Sequence, residues 1–318
     1  MSDVFETMSV PPMPRYGILK GPNSLRAGWR LLIFVAILVP LSYGVSRSVD
    51  ALLRPMHADH STPLDEILSL DWLVLPLLIA TWIMGRIERR TLADYGLPWR
   101  RAFGRQFWQG AGFSFASFTV LLLVMRLAGV FSFGVFALHG FDVWKYAAAW
   151  GVLGFLGALL EDFFYRGYLL FTLTTGIRFW PAAVVTSLLM GGTHYFNPGG
   201  HGLGPVSATM YCLVTVLVLR RTGDLWMPLG IHSAWAWGEI YFYGVPDSGY
   251  RANGHLLNAT FHGHPLLTGG GFGPEASIFT LLMLAIWGVI FSFWLREVKY
   301  PNPAAVQRPQ SGKRKRGG

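Results

Sequence analysis

KYAAAWGVLGFLGALLEDFFYRGYLLF, residues 145–171, contains no charged residue between Tyr146 and Leu160. Crossing the hydrocarbon core takes about 20 apolar residues in a helix. A surface helix of a soluble domain would carry a polar stripe at the same spacing. This stretch lacks one, so it reads as a transmembrane helix. Glu161, Asp162 and Arg166 then interrupt it. An ionisable residue at that depth costs several kcal/mol, which makes all three functional candidates by default.

The rest of the chain repeats the pattern. Of 318 residues, 52% are hydrophobic and 14% charged, and the mean hydropathy is +0.40. Soluble domains carry about 25% charged residues. Candidate spans are 29–46, 69–86, 108–128, 145–171, 180–196, 205–220, 225–243 and 276–295, with the fourth tilted or broken. The expected class is therefore all-α, a polytopic membrane protein of about eight transmembrane helices. The Gly-interrupted segment 129–144 reads as interfacial or re-entrant. No cleavable signal peptide and no internal transporter-type repeat is evident.

A net charge of +9 and a pI near 9.8 first suggest nucleic acid. The positives instead lie between apolar runs, where topology explains them. Arg15, Lys20 and Arg26 precede span one, with Arg30 at its edge. Arg89, Arg90, Arg100, Arg101 and Arg105 separate spans two and three, with Arg86 at the boundary. Arg220 and Arg221 follow span six, and Lys313–Arg316 lie in the tail. The alternation predicts a plasma-membrane protein with both termini cytoplasmic and no nucleic-acid partner. The expected divisions are a cytoplasmic segment 1–28, N-terminal helices and basic loop 29–104, a catalytic domain 105–295, and a disordered basic tail 296–318. The lone Cys212 reads as a small core residue.

On a helix, Asp162 and Arg166 are four apart and pair. Glu161 lies about 100° away and lacks that partner. Such a carboxylate, partly desolvated, can serve as general base; an ion cluster bracing two helices is the alternative. Two imidazoles follow, His194 in LLMGGTHYF and His232 in PLGIHSAWAWGE. Gly191 and Gly192 would let helices approach closely. At 1.5 Å per residue, Glu161, His194 and His232 lie roughly 15, 20 and 10 Å from the inner ends of their spans. All three thus sit at intermediate depth, where they can share a water.

Glu161–Asp162–x–x–x–Arg166, followed by Gly167, resembles the E-E-x-x-x-R signature of the CAAX-protease and bacteriocin-processing (CPBP, or abortive-infection) family of membrane proteases. His194 matches the histidine of its F-x-x-x-H motif, and His232 the first residue of H-x-x-x-N/D. The stretches Tyr243–Gly249 (YGVPDSG) and Thr268–Ser277 (TGGGFGPEAS) also resemble bacterial members. The resemblance spans roughly residues 105–295. It implies an intramembrane endopeptidase acting on a peptide or membrane-protein substrate in lipid. Glu161, His194 and His232 would be catalytic, with Asp162 and Arg166 in support. Three positions depart from the family pattern. Asp162 replaces the second Glu, Met190 replaces the Phe, and Ala236 stands where an Asn or Asp would bind the oxyanion. Nearby polar groups, such as Ser233 or Glu239, could compensate.

No cofactor is needed for a glutamate-activated water, the mechanism the resemblance favours. Zn held by Glu161, His194 and His232 is the variant, since a Zn site wants about three protein ligands plus water. His201, His255, His262 and His264 read as loop residues, and Gly269–Gly273 as a turn before span eight. Two rival classes stay open. One is a catalytically weak or inactive membrane adaptor or immunity protein on the same scaffold, which Ala236 favours. The other is a transporter or haem protein using His194 and His232.

Overall fold

The computed structural model describes residues 25–53 and 73–302. The expectations for residues 1–24, 54–72 and 303–318, including the disordered ends and the start of span two, lie outside the described residues. Within them the chain forms eight long helical runs. These are α1 (Ala27–Leu53), α2 (Val74–Glu88), α3 (Arg105–Leu127), α4 (Phe141–Asp162) continuing through a π-helical segment (Phe163–Leu169) into α5 (Leu170–Ile177), α6 (Phe179–His194), α7 (Gly204–Thr222), α8 (Trp226–Trp237) continuing through a second π-helical segment (Gly238–Tyr243), and α9 (Ile278–Trp294). Each run overlaps one expected span. Ala27–Val49, Arg105–Leu127 and Phe141–Ile177 are long and apolar enough to cross a membrane, and Ile278–Trp294 is a shorter apolar helix.

The distribution of side chains is inside-out. Leu32, Val39, Leu127, Leu188, Leu282 and Phe293 face outward, while Arg30, Glu88, Asp162, Arg166 and Glu239 are buried. Lipid is the solvent that accepts such an exterior. The fold is an all-α membrane protein.

Close helix contacts rest on glycine. A Cβ on Gly230 of α8 would lie 2.0 Å from the Phe107 carbonyl oxygen of α3, and one on Gly110 would lie 2.3 Å from that of Met227. α3 and α8 therefore touch backbone to backbone, the small-residue packing typical of membrane helices. Gly191 does the same between α6 and α7, where a Cβ would lie 2.0 Å from Thr209 Oγ1; Gly192 faces open space. Only the first of the two glycines has the expected role.

Three sequence expectations change. Span four is neither broken nor confined to 145–171, because it runs unbroken from Phe141 to Ile177 with the π-helical segment inside it. The segment 129–144 contains no re-entrant helix. Its last four residues open α4; in the rest, Phe131–Ser132 pairs antiparallel with Thr260–Phe261, and Ala137 N donates to Leu256 O at 2.8 Å, so that part is a loop stitched to the loop before α9. Finally, Arg30 and Arg90 are more than topology signals. Arg30 is 1% exposed and forms a two-point pair with Glu88, one contact being Nε–Oε1 at 2.9 Å. Arg90 Nε lies 3.5 Å from the same carboxylate, and Tyr95 and Tyr168 donate to it at 3.1 and 2.7 Å. Arg30 also reaches Thr175 at 2.9 Å. The network ties α1 and α2 to the chain just beyond the first π-helical segment.

Candidate active site

Glu161 and Asp162 end α4, and Arg166 lies in the π-helical segment that follows. A π turn admits one residue more than an α turn and is often found at functional sites. Arg166 still reaches Asp162 four residues back, as the spacing predicts. Both are fully buried. Arg166 also lies over the Tyr211 ring at 5.3 Å and donates to Met190 Sδ at 3.4 Å. Met190 is thus a soft contact for the guanidinium as well as an apolar replacement.

Asp162 has a second partner that spacing did not reveal. Its Oδ1 lies 2.9 Å from His232 Nδ1. A carboxylate can only accept, so Nδ1 is assigned as the donor, and Nε2 is left for other work. His232 Nε2 lies 3.9 Å from Glu161 Oε2. His194 Nδ1 lies 2.8 Å from the Met190 carbonyl oxygen, which again makes Nδ1 the donor. Each ring is therefore oriented by a hydrogen bond at Nδ1, which directs Nε2 away from that partner. Glu161 is less desolvated than the sequence suggests, with its side chain 37% exposed.

Glu161 from α4, His194 from α6 and His232 from α8 line one cavity of about 290 Å³. Its walls are mostly apolar, with Trp150, Leu153, Ala158 and Leu284 among them. Ala236 also lines it, on the same face as His232, and offers no polar atom there. The two expected substitutes for the missing amide are elsewhere. Ser233 Oγ is committed to the Leu229 carbonyl at 2.7 Å, and Glu239 is fully buried; neither lines the cavity. Tyr211 does line it. Its ring meets that of His232 edge-on at 5.4 Å, and its buried hydroxyl has no hydrogen-bond partner. A tyrosine inside an apolar run carries no sequence signal, so this residue was not foreseen.

The donor set fits Zn poorly. Among the described residues, the group whose ligand atoms all lie within 4.8 Å of one another is Glu239, Asp247 and Glu275. Glu161, His194 and His232 do not converge to that spacing. The loop histidines are engaged locally: His255 bonds Asn258 at 2.8 Å, His264 accepts from the Leu266 N–H at 3.2 Å, and His201 packs on Tyr195. Gly269–Gly273 forms turns ahead of α9, with positive φ at Gly269, Gly270 and Gly273. Cys212 is a free, buried thiol.

Residues 143–238 match the family model described as Type II CAAX prenyl endopeptidase Rce1-like. The matched segment runs from α4 to the start of the second π-helical segment. It contains Glu161, Asp162, Arg166, His194, His232 and Ala236. The chain is similar to that family over this segment, with Asp162, Met190 and Ala236 as departures from its motifs. No curated protein matches the chain.

Proposed function

From a chain whose residues 143–238 match a family of membrane proteases, we propose an intramembrane endopeptidase in which Glu161 activates water. Water bound in the cavity gives a proton to Glu161 as its oxygen bonds the scissile carbonyl carbon. The imidazole of His194, oriented by the Met190 carbonyl, positions that water through Nε2. His232 donates from Nε2 to the developing oxyanion, and Asp162 is the fixed counter-charge for the imidazolium this requires. Preorganised donors of this kind are usually the largest single contribution to acyl-transfer catalysis. Collapse of the tetrahedral intermediate breaks the C–N bond, and Glu161 returns its proton to the leaving amine. Arg166 holds Asp162. The Tyr211 hydroxyl is the second oxyanion donor, in place of the amide absent at Ala236.

No metal is used in this reading, which the spacing of the three donors supports. The substrate is a peptide or membrane protein in lipid. The catalytic unit is residues 105–295, and the chain lies in the plasma membrane with both termini cytoplasmic.

The observation that carries the reading is that three side chains from three helices border one cavity within the segment that matches a protease family. The test is cleavage, in proteoliposomes, of a farnesylated CAAX-type peptide, a non-prenylated analogue and the native membrane proteome. Wild type is compared with Glu161→Gln, His194→Ala and His232→Ala, with and without the transition-metal chelator 1,10-phenanthroline. Cleavage that depends on all three side chains and resists the chelator is expected. If the four proteins behave alike, the hydrolase reading fails.

A further inference from the structure

Beside the cavity lies a second set of polar groups that hydrolysis does not use. Glu239 sits in the π-helical segment after α8, Asp247 in the YGVPDSG loop, and Glu275 in the GPEAS turn before α9. One carboxylate oxygen from each lies within 4.8 Å of the others. Three oxygens around a single ion at Ca²⁺–O distances of about 2.3–2.6 Å are separated by no more than roughly that amount. Glu239 is 0% exposed, and both its oxygens lack a hydrogen-bond partner. Neither Glu239 nor Glu275 forms an ion pair with Lys or Arg among the described residues. A buried carboxylate with no Lys or Arg partner and two acids beside it is strongly unfavourable unless a cation or a proton joins the group.

The spacing of the acids is built into the surrounding loops. Glu275 is oriented by Trp235 Nε1 at 3.1 Å, Ser248 N at 2.8 Å and Ser248 Oγ at 2.6 Å. Gly249 N donates to Phe272 O at 2.7 Å, and a Cβ on Gly273 would lie 2.3 Å from the Pro246 carbonyl oxygen. The loop carrying Asp247 and the turn carrying Glu275 are thus pressed together, with Glu239 beneath them.

We propose that Glu239, Asp247 and Glu275 bind one hard divalent cation, Ca²⁺ in chemical preference, which clamps the two loops that help line the cavity. All-oxygen, carboxylate-rich ligation selects Ca²⁺ over Zn²⁺ or Cu²⁺. The site is independent of the hydrolase reading, and binding tests it directly.

Trp235 supplies the readout, because its indole touches a proposed ligand. Tb³⁺, a Ca²⁺ mimic, is titrated into the full-length protein in detergent with tryptophan excitation. Sensitised luminescence that Ca²⁺ displaces is expected, with Ca²⁺ raising the unfolding temperature and EGTA reversing the rise. Glu239→Gln should weaken Tb³⁺ binding at least about tenfold, since affinity follows ligand charge. If Glu239→Gln does not fold, Asp247→Asn, whose side chain is only partly buried, makes the same comparison. The proposal is overturned by the absence of Ca²⁺-displaceable luminescence in wild type. It is also overturned by luminescence undiminished in the variants. A Ca²⁺-independent unfolding temperature would show instead that the acids share protons.

Discussion

Glu161 and Asp162 are neighbours in sequence, yet their isosteric amides should fail in opposite ways. Asp162 is 0% exposed and accepts from both Arg166 and His232. Asp162→Asn leaves the Arg166 guanidinium buried without a counter-charge. Breaking a buried pair from one side costs about 3–5 kcal/mol. Glu161 is 37% exposed in the cavity, and its nearest charged-group contact is His232 at 3.9 Å. Glu161→Gln should therefore stay within about 0.5 kcal/mol of wild type. Loss of a general base, however, should lower peptide cleavage by about 10²–10⁴. The single buried thiol, Cys212, makes the assay simple. A thiol-reactive fluorophore reports unfolding as the thiol is uncovered on heating, and the same preparations are scored for cleavage. The reasoning is refuted if Glu161→Gln melts as early as Asp162→Asn, or if Glu161→Gln still cleaves at the wild-type rate.

Tyr211→Phe removes a buried hydroxyl that has no partner. Its melting temperature should hold or rise, while cleavage falls by about 10²–10³, the usual effect of losing an oxyanion donor; unchanged cleavage would remove Tyr211 from the mechanism. Ala236→Asn places an amide on the His232 face of the cavity wall and should raise turnover by about tenfold or more, measured as kcat on the same peptide. Glu88→Ala strands Arg30 beneath α1 and α2 and should cost about 3–5 kcal/mol, read by the Cys212 melting assay.

The helices were legible in the sequence because lipid demands long apolar runs, and few other environments produce them. The candidate site was legible in part for the same reason, since Glu161, Asp162, Arg166, His194 and His232 interrupt such runs. Contacts between helices were not legible. His232 bonds Asp162 across 70 positions, and no periodicity encodes that pairing. Arg30, Glu88 and Arg90 lie at span edges, where a buried network and a topology signal look alike in one dimension. Tyr211 is invisible for the opposite reason: its surroundings are uniformly apolar. The π-helical segments leave no mark in the sequence either, because FFYRGYL and GEIYFY contain no proline to announce a departure from the α-helical repeat.

The π-helical segment at Phe163–Leu169 bears on how relatives should be aligned. A π turn is an α-helix with one residue inserted, so everything beyond it is rotated by about 100° relative to an uninterrupted helix. Thr172 and Thr175 meet the Arg30–Glu88 network in that shifted frame. A homologue lacking the insertion would need a one-residue gap in mid-membrane to keep both Glu161 and these anchors in register. Alignment schemes that confine gaps to loops would pair the wrong faces over the remainder of the helix.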